Sequence, residues 1–253
     1  MSDLPPPIPA ATLVLMRPVA DGPPQLLMTE RARHMAFAAG AYVFPGGRID
    51  PADHDTAAWL GDRSADAAAR VAAIRETIEE TGIAPALTPR LDTDAIAAIR
   101  GGLRRGAPLH RLLEAHGALL ELTALTPFAR WCPNFKETRR FDTLFFLAAA
   151  PAGSAAAPLV DAVEAVHAVW ITAADVLEEI AAGRVAAIFP TRRNLERLAQ
   201  FNSLDEAIAD ACRHPVERIM PWVEARNGEA HLCIPEGVGY PVTAEPLASA
   251  RRS

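Results

Sequence analysis

Residues 64–82, "SADAAARVAAIRETIEETG", constrain the fold most, because they read as one helix with two unlike faces. At about 100° per residue, with Glu76 set to zero, Glu80 falls near 40° and Glu79 near −60°, so three carboxylates share one side. Ala67, Val71, Ile74 and Ile78 fall at about 160–220°, a continuous apolar stripe on the opposite side. A helix of this kind must lay the stripe on a core and leave the acidic edge at the rim. Ser64 is the expected N-cap, with Asp66 in the first turn, and Gly82 is the natural C-terminal stop.

Around this helix the chain alternates strand-like and helical segments. "ATLVLMRPV" and "PQLLMTER" predict two strands joined by the Asp-Gly-Pro-Pro turn at 21–24. "AYVFPGG" predicts a third strand, ended by Pro45 and the glycine pair, and a polar stretch over 48–63 leads to the helix. Residues 86–120 read as a helical insertion of two amphipathic pieces split by glycines. Strand-like runs return at "LTALTPFARWC", "RFDTLFFLAAA" and "VEAVHAVWI". Helices are expected at 173–182, 191–200 and 204–212, then a strand pair near 217–234. With no internal repeat and no linker, this predicts a single α/β (α+β) domain over 1–253, with a C-terminal extension from about 201.

The 31 acidic and 25 basic residues, with no long basic run, argue against a nucleic-acid partner. Cys132, Cys212 and Cys233 are far apart and form no CxxC pair, so they are expected to be reduced thiols of a cytoplasmic protein. "MSDLPPPIPA" lacks a basic region followed by an apolar run, and the longest apolar stretch, "TLFFLAAAPAG", is about half the length that spans a bilayer. No membrane partner is expected. No GxxxxGK[ST] occurs, which excludes a P-loop, and "PEGVGYP" at 235–241 is expected to be a turn.

Three carboxylates on one helix face repel one another unless a cation joins them, and hard carboxylate oxygens suit Mg2+ or Mn2+. An ordinary solvated acidic face is the competing reading. Upstream, Phe44-Pro45-Gly46-Gly47 closes a strand, where paired glycines let the backbone approach a phosphate. FPGG together with Arg75-Glu76, Glu79-Glu80 and Gly82-Ile83 resembles the signature of the Nudix hydrolase superfamily, with Gly47 as its first glycine. Two departures stand out. The signature's first acidic position falls to Asp53 or Asp66, because 21 residues separate Asp53 from Arg75 where the signature has seven. The apolar slot after Arg75-Glu76 holds Thr77. Such an interrupted signature is similar to that of coenzyme A diphosphatase-like members. Leu27, Thr29, Arg31, Ala32, Gly40 and FPGG match their upstream motif in spacing, although Ala36 stands in place of its second arginine and only Arg33 lies nearby. "RRFDTLFFL" and "FPTRRNLERL" also look like that branch.

The resemblance implies a Nudix-type α/β/α sandwich with a mixed sheet that hydrolyses a nucleoside diphosphate linked to another group, most plausibly coenzyme A or acyl-coenzyme A. ADP-ribose, NADH or a nucleotide sugar is the alternative substrate, and a non-catalytic metabolite sensor the alternative role. Glu76, Glu79 and Glu80 would hold Mg2+ or Mn2+, and Arg75 would hold Glu79. Arg31, Phe44, Gly46 and Gly47 would contact the substrate. Glu164, ahead of Glu137, would be the general base. Arg192 and Arg193, at a helix start, are expected to be solvated. The expected partner is a small-molecule nucleoside diphosphate derivative, and a second copy of the chain is the candidate protein partner.

Overall fold

The structure is a computed structural model that describes residues 6–31, 40–133, 140–154, 158 and 165–250. Strands β1 (Ile8–Arg17), β2 (Gln25–Arg31), β3 (Tyr42–Val43) and β4 (Gly46–Arg48) lead into helices α1 (Pro51–Trp59) and α2 (Ala67–Thr81). Then come β5 (Leu87–Thr88), α3 (Thr93–Arg104), α4 (Leu109–Ala115), β6 (Leu119–Leu120), β7 (Thr126–Trp131), β8 (Phe141–Ala149) and β9 (Ala165–Thr172). The rest is α5 (Ala173–Ala181), α6 (Phe189–Leu198), α7 (Leu204–Arg213), β10 (Arg218–Ile219), β11 (Trp222–Arg226), β12 (Glu229–Cys233), β13 (Ala244–Pro246) and α8 (Leu247–Ala250). No helix among the described residues is long and apolar enough to cross a membrane.

The main sheet runs β10-β7-β8-β1-β2-β3, with β4 paired to β1 and β9 to β2. It is mixed: β1 is parallel to β8 and β10 to β7, while the other pairs are antiparallel. Period-two alternation divides the strand side chains between two cores. Leu13 and Leu15 of β1, Leu27 of β2 and Phe146 of β8 pack with α2, α3 and α4. Val14, Met16, Leu26, Met28, Phe145 and Leu147 pack with α5, α6 and α7. The sheet therefore lies between two helical layers, the α/β/α arrangement expected from the sequence.

Three local expectations are corrected. The chain does not end a strand at the glycine pair. After β3 pairs with β2, Pro45 turns it and Gly46–Arg48 pairs with the first half of β1, where β1 has splayed away from β2. The polar stretch before the glutamate helix contains α1, which Pro51 starts and where the Asp50 amide donates to the Asp53 carboxylate at 2.8 Å. The N-cap of α2 is accordingly Asp66 rather than Ser64, and Gly82 ends it in the left-handed region at φ 68°.

Arg193 is the third. It is not solvated but 1% exposed, donating to Glu196 at 2.6 Å and to Glu245 at 2.9 Å. Glu245 comes from β13, so local sequence could not reveal the pair. Next to it, Tyr240 donates to Asn194 at 2.7 Å and accepts from the Trp131 indole at 3.0 Å, and burial pushes its hydroxyl up to about 12. The segment 235–241 is thus a turn that plugs the second core. Tyr240→Phe strands the buried Trp131 N–H and is expected to cost about 1–3 kcal/mol, measured by urea unfolding.

Candidate active site

The acidic end of the molecule is assembled around one arginine. Arg75 is 8% exposed and sits on the α2 face turned to α1. Its Nε and Nη2 donate to the two oxygens of Asp53 at 2.8 and 3.0 Å, and Nη2 also donates to the Arg48 carbonyl at 2.9 Å. Its Nη1 donates to Glu76 at 2.9 Å and stands 3.6 Å from Glu79. Burial pulls the Arg75 guanidinium down, but the Asp53 hydrogen bond and the charges of Glu76, Asp53 and Glu79 outweigh it and hold it above the usual arginine range.

This geometry answers which acidic residue meets the arginine. Asp53 reaches Arg75 across the fourteen-residue interruption, because α1 folds back against α2. Asp66 instead pairs with Arg70 at 2.9 Å, and Arg70 ties the start of α2 to the Leu122 and Leu125 carbonyls. His110 of α4 lies 3.3 Å from the Thr56 hydroxyl and braces α1 from the outside.

The expected acidic edge is on α2, but the helix is not half-solvated: twelve of its fifteen residues are buried. Glu80 is 7% exposed, while Glu76 and Glu79 remain partly open. Among the described residues no three acidic, histidine or cysteine side chains converge as a ready-made metal cluster. The Arg75 Nη1 lies between two of the glutamates, 2.9 Å from Glu76 and 3.6 Å from Glu79. The set still fits a hard divalent cation by donor type and by placement, since three carboxylates rise from one face of a rigid, buried helix.

The FPGG segment contributes space. A Cβ on Gly47 would run into the Glu76 carboxylate, and one on Gly46 would sit 2.5 Å from the Ala11 carbonyl oxygen. The glycines therefore let β4 press against both β1 and the glutamate helix, a reason independent of any phosphate. Phe44 turns its ring into the second core, so it sets the corner. Arg31 stands at the end of β2, beside the Ala41 and Gly40 backbone. Glu164, Glu137, Arg33 and Ala36 lie outside the described residues. Gly47→Ala should displace Glu76 and lower kcat/KM by about 10–100-fold, with little change in unfolding midpoint; steady-state kinetics check it.

No family model matches the chain. It is similar to human acyl-coenzyme A diphosphatase NUDT19, 28% identical over 82% of this chain and 70% of that protein. The Xenopus laevis protein of the same name is 23% identical over 82% of this chain and 69% of its own length. A crystal structure of a Nudix hydrolase from Alicyclobacillus acidocaldarius superposes with a TM-score of 0.71 at 30% identity, covering 82% of this chain and 97% of that one. With nearly all of that relative spanned at 30% identity, the chain belongs to the Nudix hydrolases.

Proposed function

We propose that the protein is a diphosphatase of coenzyme A or acyl-coenzyme A, cleaving the diphosphate to adenosine 3′,5′-bisphosphate and a phosphopantetheine. The observation that carries the chemistry is Arg75, locked on buried Asp53 while it faces Glu76 and Glu79. The similarity to two acyl-coenzyme A diphosphatases supports the substrate.

Nudix hydrolases generally work with a divalent cation on small nucleoside diphosphate derivatives. Glu76, Glu79 and Glu80 would hold Mg2+ or Mn2+, which when bound neutralises charge on the phosphate oxygens and acidifies a water. The chain's own contribution is positioning. Arg75 limits the rotamers of Glu76 and Glu79, Asp53 keeps Arg75 in place, and Gly47 leaves room for the Glu76 carboxylate. Arg31, at the strand end, offers a planar guanidinium to a substrate phosphate. Glu164 is the proposed base that accepts the proton of the attacking water.

The test is a substrate panel of coenzyme A, acyl-coenzyme A, ADP-ribose, NADH and a nucleotide sugar with Mg2+ or Mn2+, products identified by mass spectrometry. Adenosine 3′,5′-bisphosphate from the coenzyme A substrates is the expected result. Cleavage of ADP-ribose with coenzyme A left intact would overturn the substrate and keep the chemistry. If nothing is cleaved and neither metal raises the melting temperature, a sensor role replaces catalysis.

A further inference from the structure

A cavity of about 1010 Å3 begins where α2 ends, at Thr81 and Gly82, and none of the three glutamates lines it. One wall is a single face of α3: Thr93, Ile96, Ala97, Arg100, Gly101 and Arg104 recur at three- and four-residue spacing. The facing wall is the end of β8 and the turn after it, Ala148–Ala150, Ala152 and Gly153. Small aliphatic side chains predominate, and no aromatic one is among the lining residues. Arg90, Arg100 and Arg104 stand among the lining residues together with Asp92.

The cavity and the acidic edge lie on the same side of the sheet, offset along β1. Gly47, beside Glu76, is paired with Ala11, whereas Ala148 at the cavity is paired with Leu15. Four strand residues correspond to roughly 13 Å. Arg100 links the two, donating to the backbone carbonyls of Glu79 at 2.9 Å and Glu80 at 3.3 Å.

We propose that this cavity receives the acyl chain of an acyl-coenzyme A substrate whose diphosphate lies at the glutamate helix, the pantetheine arm bridging the offset. The inference rests on the proposed function. A smooth alanine and glycine wall suits a flexible aliphatic chain, and no described lining residue offers a ring for a purine to stack on. Residues 93–104, in the helical insertion, thereby set substrate class rather than merely cover the core.

Two substitutions fill the cavity without touching the acidic helix. Ala97 is exposed, and a Cβ on Gly101 would meet only the tip of Arg105 at 3.3 Å, so Ala97→Trp and Gly101→Leu should fold normally. kcat/KM is measured on coenzyme A, hexanoyl-coenzyme A and dodecanoyl-coenzyme A. The wild type should gain about tenfold or more from no acyl chain to twelve carbons, since each fully buried methylene is worth about fourfold. Both variants should cleave coenzyme A within about twofold of wild type and lose the chain-length gain. A wild type indifferent to chain length, or variants that keep the gain, would overturn the proposal. Calorimetric titration in EDTA decides the cavity even if no coenzyme A ester is hydrolysed. Tighter binding of dodecanoyl-coenzyme A than of coenzyme A, lost in Ala97→Trp, supports it; equal binding of the two sinks it.

Discussion

Glu79→Gln should lower kcat by about 10³ or more while leaving the unfolding midpoint within a degree or two of wild type. The loss follows from removing one anionic ligand of a cation that contributes several kcal/mol of charge stabilisation in the transition state, at about 1.4 kcal/mol per tenfold. The fold is insulated because Glu79 is partly solvated, and the Arg75 Nη1, 3.6 Å from it, keeps Asp53 and Glu76. Replacing a charged group at that distance near water changes stability by only tenths of a kcal/mol. A second readout separates ligation from positioning: the rise in melting temperature on adding Mn2+ should shrink in Glu79→Gln. Unchanged turnover in the variant would remove Glu79 from the metal set.

What could be read from the sequence divides by the range of the interactions involved. The near-continuous apolar runs of β1 and β8 suit a sheet buried on both faces, and the structure has one core on each. The C-terminal stop at Gly82 and the common face of Glu76, Glu79 and Glu80 depend only on helix geometry, and both are present. The choice between Asp53 and Asp66 was not legible, since it depends on α1 folding back on α2 across an interruption that spacing rules cannot bridge. Nor was the burial of α2 on nearly all sides. Its polar edge is covered by α1 and by Arg100 of α3, elements whose own sequences say nothing of where they dock. Arg193 looked like a solvated helix-start residue because its partner Glu245 is supplied by β13, far along the chain. Even the glycines of FPGG had a reason the sequence could not show, the close approach of β4 to Glu76 and to β1.

Asp53→Ala should be the most destabilising single change at the site, by about 3–5 kcal/mol, because it leaves a buried guanidinium without its main counter-charge. Asp53 is 1% exposed and accepts two charge-assisted hydrogen bonds from Arg75, so neither group recovers its hydration when the other is lost. Glu76 and the Arg48 carbonyl remain to Arg75 but do not replace a bidentate partner. The double variant Asp53→Ala/Arg75→Met separates the two roles of the pair. Removing both charges relieves the uncompensated cation, and stability measured by urea unfolding should return most of the way to wild type. Activity should not return, because Glu76 and Glu79 would then lack the group that orients them. Recovery of turnover along with stability would make the pair a structural brace alone; recovery of stability without turnover assigns Asp53 and Arg75 the task of aiming the glutamates.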